Sequence, residues 1–216
     1  MIDINHQQQQ IDGFNWTCGA VCLSMILDYY GIKKQANEIW NDIKTTRRDG
    51  PHQKFATTAK VAEFSIKYGL DATIYRTRAD SYYDLLYYLD QQRCPAILNM
   101  VDKKSKRSHF EVFKGIRFGD IILDNPLVTK GTEQLNPVQL REQWKPHPED
   151  DITGYILILF KLHGATHYAC PKCRERIPVV RLDIMEQGYV DEVLCPIKDC
   201  NGLMRKEYFS SEGYNE

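Results

Sequence analysis

Four cysteines near the carboxyl end constrain the fold of this chain more than any other feature. They form two pairs, Cys170 with Cys173 and Cys195 with Cys200, and 21 residues (174–194) separate the pairs. Two tight turns that each present two thiolates can complete the tetrahedral shell that zinc prefers. Gly202 follows the second pair, where a glycine lets the backbone double back beneath a metal. The pattern predicts a structural zinc site with all four cysteines as ligands, because four thiolates leave no position open for a catalytic water.

The segment that carries these cysteines, residues 163–216, resembles a zinc ribbon. It is too short to bury a large core, so metal bonds would supply much of its folding free energy. A pair of redox-active dithiols is the less favoured alternative at this spacing. His163 and His167 are interpreted as linker residues, since four cysteines already suffice. The segment has 7 Lys and Arg against 9 Asp and Glu, which favours docking of a protein partner over nucleic-acid binding.

The length of the chain predicts one ordinary domain and a small second one. Its 216 residues correspond to about 1.4 domains of average size, and we place the boundary between residues 1–162 and residues 163–216. The net charge of −1 argues against a protein held mainly by phosphates or anionic lipid. Residues 1–10 are polar without a signal-peptide core, and no apolar run approaches about 20 residues. We therefore expect a soluble, cytoplasmic protein without membrane contacts.

Hydrophobic patterning predicts an α+β fold in which helices come first and antiparallel strands follow. The predicted helices cover about 17–30, 35–43, 57–68, 81–91 and 137–144, and the predicted strands cover about 70–75, 94–100, 109–116, 120–123 and 152–162. Two further β-type runs, 177–182 and 189–194, lie among the carboxyl-terminal cysteines.

A separate thiol, Cys18, stands at the start of the first predicted helix. A thiolate there would face unpaired backbone N–H groups and the positive end of the helix dipole, which both favour its ionised, nucleophilic form. Gly19 leaves space for a substrate to approach the sulfur. The alternative is a small buried residue of the core, which is the interpretation we favour for Cys22 and Cys94.

A nucleophilic thiol needs a base, and His109 at the start of an apolar strand is the candidate. Asp124 ends the next predicted strand, so a hairpin would bring the two together. Asp124 could then accept a hydrogen bond from Nδ1 of His109 and leave Nε2 for the sulfur. A half-exposed strand histidine and a turn-forming aspartate are the alternatives for each residue taken alone.

These residues lie in motifs that resemble the double-glycine, or bacteriocin-processing, cysteine peptidases of the papain-like group. The matching motifs are a glutamine ahead of Cys-Gly, a helix ending in Tyr-Gly, a His-aromatic strand and an Asp-Pro ending, found here as Gln10, 18–31, 109–112 and 124–126. The resemblance implies that Cys18 is the nucleophile, His109 the general acid and base, and Asp124 the orienting residue. Gln10 would donate its side-chain amide to the oxyanion hole. Gln7, Gln8 and Gln9 are rivals, because the spacing from Gln10 to Cys18 is about two residues longer than the resemblance leads us to expect.

The resulting expectation is a papain-like cysteine peptidase domain of N-terminal helices and an antiparallel sheet, followed by a small β zinc ribbon. It would cleave a peptide or protein substrate through a thioester intermediate, and the resemblance implies cleavage after glycine. A thiol-dependent deamidase, transglutaminase or isopeptidase would use the same groups, so these alternatives stay open. A non-catalytic peptide-binding adaptor is a further alternative, which an intact set of three catalytic residues disfavours.

Overall fold

A computed structural model describes residues 1–9, 16–46, 54–129, 131–146, 154–197, 200 and 202–212 of the chain. The helices are α1 Cys18–Tyr29, α2 Ala36–Ile43, α3 Thr58–Lys67, α4 Tyr82–Gln91, α5 Pro137–Trp144, α6 Asp183–Glu186 and α7 Lys206–Glu212. The strands of the amino-terminal half are β1 Lys44–Thr46, β2 Lys54–Ala56, β3 Asp71–Thr77, β4 Ala96–Val101, β5 Ser108–Arg117 and β6 Asp120–Asp124. The remaining strands are β7 Thr132–Leu135, β8 Ile156–Lys161, β9 Thr166–Ala169, β10 Arg176–Val179, β11 Val190–Leu194 and β12 Leu203–Arg205.

Local sequence explains where the main helices begin and end. Helix α1 is buried along its first ten residues and stops before Gly31, whose φ of 81° an L side chain rarely adopts. The hydroxyl of Thr57 caps α3 by accepting from the Lys60 N–H at 3.2 Å. Asn136 caps α5 in the same way and Pro137 occupies the first turn, where its missing N–H costs nothing.

The strands of the described residues form one eight-stranded antiparallel sheet and two small two-stranded sheets, β1-β2 and β9-β10. The large sheet carries His109, Glu111 and Asp124. Its strand order is β12-β11-β3-β8-β4-β5-β6-β7. Strands β4, β5 and β6 are successive neighbours, with Met100 opposite His109 and Val112 opposite Asp124. This register brings the start of β5 close to the end of β6, as the predicted hairpin requires.

Helices cover both faces of the sheet and bury two hydrophobic cores. Ile97 of β4 and Val112 of β5 pack into the core beneath α1, α2 and α3. Their neighbours Leu98 and Phe113 face the other way, into the core with α4, α5 and the carboxyl-terminal region. The alternation follows from the period of two along a strand, and it decides on which side of the sheet each polar residue lies.

The carboxyl-terminal region continues this sheet, because β11 pairs with β3 and β12 with β11. Thr73 on β3 reinforces the junction: its hydroxyl donates to the Pro178 carbonyl at 2.9 Å and accepts from the Val180 N–H at 2.8 Å. The Tyr75 hydroxyl donates to the Val180 carbonyl at 2.5 Å. The domain boundary at residue 163 stays a prediction, while the sheet itself runs across it.

The observed architecture confirms the predicted α+β class, with amino-terminal helices, an antiparallel sheet and a small cysteine-rich β region. Along the described chain, no helix combines the length and apolar character that crossing a membrane requires.

Candidate active site and metal centre

The thiol of Cys18 lies at the start of α1, against strand β5. The backbone N–H of Phe110 lies close enough to the sulfur to favour its ionised form. One turn later, the thiol of Cys22 donates to the Phe110 carbonyl at 3.2 Å. Two thiols of α1 thus contact the backbone of Phe110, the residue after His109. These contacts hold the Cys18 sulfur beside the start of β5.

Burial dominates the ionisation of Cys18, whose side chain is 4% exposed. It raises the pKa of the thiol to about 11, and the hydrogen bonds from the backbone of Phe110 and Gly19 offset only part of that rise. The backbone groups at the helix start favour the ionised form as predicted, but burial outweighs them. A thiol of this kind needs a base to remove its proton as it reacts.

Gly19 serves packing rather than substrate access. A Cβ placed on it would meet Ala56 at 3.0 Å and both Phe110 and Val61 at 3.2 Å. Glycine is required because α1 lies so close to β2, β5 and α3, and the space predicted for a substrate is filled by these three side chains. Cys22 and Cys94 are buried in the core, as predicted.

His109 is fully buried, and its ring bonds to Asn125, with 3.0 Å between Nε2 and Oδ1. The same Oδ1 accepts from the backbone N–H of Leu127 at 2.9 Å, which identifies it as the oxygen of the amide. Nε2 of His109 is then the donor, so the lone pair of the neutral ring is on Nδ1. Nδ1 is buried and has no hydrogen-bond partner among the described residues.

Burial also lowers the pKa of His109 below its usual 6.5, although the hydrogen bond to Asn125 acts in the opposite direction. The ring is therefore neutral at physiological pH and has the correct protonation state for a general base. The ring nitrogen that keeps its lone pair is Nδ1, the reverse of the predicted tautomer.

The predicted contact between Asp124 and His109 is not made, and Asn125 takes that place. Asp124 instead accepts from Lys114 at 3.4 Å and bonds to Nδ1 of His6 at 2.5 Å. The sheet register explains the difference, since Asp124 pairs with Val112, whose side chain alternates along β5 with that of Glu111. Asn125 follows the end of β6, and its side chain bonds to both His109 and Glu111.

Two glutamates behind Asn125 belong to the same hydrogen-bonded group, and sequence reasoning missed both. The Asn125 amide donates to Glu111 at 3.0 Å and to Glu133 at 2.8 Å. Glu111 is 2% exposed. Burial, followed by the charge of Glu133, raises its pKa well above the usual range. A glutamate two residues after the candidate base in an apolar strand was the signal that could have indicated it.

The glutamine predicted for the oxyanion hole, Gln10, lies outside the described residues. Among its three rivals, Gln8 is exposed, Gln7 is half-buried and Gln9 is buried. The Gln9 N–H donates to the Pro126 carbonyl at 2.8 Å, and its side-chain Oε1 is buried without a partner among the described residues. This segment therefore passes directly beside the Asn125-Pro126 turn.

The four carboxyl-terminal cysteines converge as their spacing predicts. Their Sγ atoms all lie within 4.8 Å of one another. Cys170 and Cys200 are 3.5 Å apart and Cys173 and Cys195 are 3.8 Å apart, close to the roughly 3.8 Å between sulfurs in a tetrahedral zinc–thiolate site. A Cβ on Gly202 would collide with the sulfur of Cys170, so only glycine allows the chain to pass beneath the cluster.

This donor set fits a metal ion better than a redox pair. All four thiols are free, and each lies at a distance from its neighbours that is too long for a disulfide. The predicted linker histidines do not join the cluster: both are exposed, and Nδ1 of His167 lies 3.1 Å from the Ala165 carbonyl.

Comparison with protein families gives a match to the amino-terminal two thirds of the chain. The model of the Peptidase C39 family matches residues 3–147. This range contains Cys18, His109 and Asn125 and stops before the four-cysteine cluster. No curated protein sequence is similar enough to the chain to count as a relative.

Solved structures share the fold at low sequence identity. The peptidase domain of Streptococcus ComA, a bifunctional ABC transporter involved in quorum sensing, aligns with a TM-score of 0.55 and 16% identity over 73% of this chain and 98% of its own. A Bacillus anthracis protein described as C39-like aligns with 0.55 and 14% identity over 75% and 96%. A double glycine motif protease from an AMS/PCAT transporter, solved with its leader peptide, aligns with 0.50 and 21% identity over 74% and 91%.

Proposed function

Since the chain belongs to the Peptidase C39 family, we propose that it is a cysteine peptidase in which Cys18 is the nucleophile, His109 the base and Asn125 the orienting residue. The orientation of His109, whose ring bonds to Asn125 through Nε2 and keeps a buried Nδ1 without a partner among the described residues, supports this proposal most strongly. Cys18 lies against Phe110, the next residue of the same strand. Contacts between nucleophile and base are often loose before substrate binds and tighten in the complex.

The reaction begins with a neutral thiol and a neutral imidazole. As the sulfur attacks the carbonyl carbon of the substrate, the thiol proton passes to Nδ1 of His109. The imidazolium then returns this proton to the leaving amine, the C–N bond breaks and a thioester remains on Cys18. Water attacks the thioester, gives a proton to Nδ1 and releases the acid, and His109 reprotonates the thiolate.

Charge on the substrate oxygen develops at the start of α1. The first N–H groups of a helix have no partner within the helix, so the backbone N–H of Cys18 is available as an oxyanion donor. A side-chain amide from the amino-terminal glutamines would complete the hole. Gln10 remains the residue we propose, with the buried Gln9 as the nearest described alternative.

The substrate that we propose is a peptide or protein segment cleaved after glycine. Membership of the Peptidase C39 family supports this proposal, and the structural relative solved with a leader peptide is a double glycine motif protease. Deamidation and acyl transfer use the same groups and are separated by the products they release.

We also propose that zinc fills the four-cysteine cluster and acts structurally. Cys170, Cys173, Cys195 and Cys200 would hold it, and four thiolates exclude a catalytic water. Bound there, the metal would join the β9–β10 turn, which carries Cys170 and Cys173, to the β11–β12 connection, which carries Cys195 and Cys200. A protein partner would dock on this region.

A peptide library with Gly-Gly, Gln and Lys-linked members tests the reaction type on the full chain, with Cys18→Ala as the control. A peptidase releases two fragments, whereas a deamidase adds about 1 Da without cleavage. Cleavage that persists in Cys18→Ala, or no thiol-dependent product at all, would overturn the proposal.

A further inference from the structure

We propose that Glu111 and Glu133 form a carboxyl clamp that fixes the Asn125 amide, and through it the tautomer of His109 that can activate Cys18. This inference rests on the proposed peptidase function and assigns two positioning residues to it. Neither glutamate reaches the reacting atoms, so both act through Asn125.

The geometry of the clamp leaves Asn125 one orientation. Its two amide hydrogens are used by Glu111 at 3.0 Å and Glu133 at 2.8 Å. Its oxygen accepts from Leu127 at 2.9 Å and from His109 at 3.0 Å. A flipped amide would place its oxygen against the Glu133 oxygen and its NH₂ against the Leu127 N–H, which would lose the bonds to both residues.

The tautomer of His109 follows from that orientation. Because Asn125 presents an oxygen, the ring must place its proton on Nε2, and the lone pair stays on Nδ1. If the amide were free to flip, its NH₂ would face the ring and favour the tautomer with Nδ1–H, which cannot take a proton from Cys18. The clamp therefore selects the basic form of the ring.

A buried carboxyl is a costly element in an apolar strand, since Phe110 and Val112 on either side of it are core residues. Charged and titratable groups surround Glu111 from several elements: Glu133 on β7, Asp102 and Lys103 in the β4–β5 turn, Asp124 on β6 and the thiols of Cys18 and Cys22 on α1. Lys103 also donates to Glu133 at 3.3 Å. The raised pKa of Glu111 favours its protonated form, in which Oε1 can still accept the hydrogen bond from Asn125. Protonation also removes a negative charge that would disfavour the Cys18 thiolate.

Paired substitutions separate this role from simple packing. Leucine at both positions (Glu111→Leu with Glu133→Leu) removes the acceptors, whereas glutamine at both (Glu111→Gln with Glu133→Gln) keeps an acceptor oxygen at each. With iodoacetamide as the probe and the Cys18 peptide measured by mass spectrometry, we expect the leucine pair to slow labelling at pH 7 at least about tenfold, as for a lost hydrogen bond. The glutamine pair should stay within about threefold of the parent. Glu142→Gln, on the surface, is the matched control.

A charge swap gives the sharper result. Asn125→Asp alone places a third carboxyl against the clamp and should slow Cys18 labelling. In the triple variant that adds Glu111→Gln and Glu133→Gln, the glutamine amides can donate to the new carboxylate, so each hydrogen bond is restored with its direction reversed. This variant should recover most of the lost labelling rate. Recovery would support the clamp, whereas Asn125→Asp labelling like the parent, or no recovery, would overturn it.

Long-range ¹H–¹⁵N NMR of the imidazole keeps the inference separable from the peptidase proposal. We expect His109 with its proton on Nε2 in the parent and a mixed tautomer in the leucine pair. If the parent labels no faster than His109→Ala, the peptidase proposal fails while the tautomer still tests the clamp. An unchanged Nε2–H tautomer in a folded leucine pair would overturn the clamp, whatever the reactivity of Cys18.

Discussion

The two cysteine sites of this protein differ in how far apart in the sequence their parts lie. The four-cysteine cluster takes all its thiols from residues 170–200, as two pairs close in sequence. The candidate active site draws Cys18 from α1, His109 from β5 and Asn125 from the residue after β6. Local spacing therefore determines the first site, whereas the register of the sheet determines the second.

The sites also treat their thiols differently. Four sulfurs within 4.8 Å share a volume that suits a cation, while Cys18 is a single thiol whose pKa burial raises to about 11. A metal stabilises thiolates permanently, and a base ionises a thiol only as it reacts. Each prediction below tests one side of this contrast.

Removing a metal ligand should have the largest effect on stability. In Cys170→Ser we expect loss of bound zinc and a fall of several kcal/mol in the stability of the carboxyl-terminal region, because metal bonds supply its folding free energy. Elemental analysis and thermal unfolding measure both. His167→Ala is the matched control and should keep its metal; unchanged zinc content in Cys170→Ser would contradict the assignment.

The identity of the orienting residue comes next. Asn125→Ala should slow labelling of Cys18 by about 10- to 100-fold because His109 loses its tautomer partner, a loss comparable to that of other supporting hydrogen bonds. Asp124→Asn should leave the rate within about threefold while lowering the melting temperature, since Lys114 and His6 lose a charged partner. The reverse pattern would return the role to Asp124.

The junction between the two regions should show a smaller effect. Thr73→Val removes a hydroxyl that bonds both Pro178 and Val180, so we expect a loss of about 1–3 kcal/mol in a single unfolding transition. Thr166→Val, at an exposed position of β9, controls for the change in β propensity. Two separate transitions, with only the carboxyl-terminal one shifted, would show that the regions fold independently despite the shared sheet.

Sequence reasoning predicted the elements with strong local signals. The periodic apolar face before Gly31 predicted α1 to within a residue at each end, and Pro137 after a capping asparagine predicted α5 at its observed bounds. The three-residue strands β1 and β2 are too short to show a periodic pattern. Strand β7 contains too few apolar residues to show the alternation that predicts a strand.

The candidate site was predicted as a set of elements but not in its last detail. Asp124 and Asn125 are adjacent acceptors at the same strand end, and only the pairing of Asp124 with Val112 decides which one faces His109. Glu111 alternates with apolar residues along β5, a pattern that predicts a solvent-facing side chain. Both faces of the sheet are instead covered by packed side chains. Long-range packing, which local pattern does not contain, buried it beside the base.

The rate at which iodoacetamide labels Cys18 across pH, in the parent and in His109→Ala, tests the central claim most directly. Without a base, a thiol with a pKa near 11 is ionised in only about one molecule in ten thousand at pH 7. Because the pKa of His109 is lowered from 6.5, the neutral base persists at neutral pH and is lost only as pH falls through that lowered value. We predict parent labelling that is sustained at pH 7 and declines only as pH falls through the lowered pKa of His109. In His109→Ala the rate should fall about 10²- to 10⁴-fold. Equal rates in the two proteins, rising only as pH approaches 11, would contradict His109 as the base of Cys18.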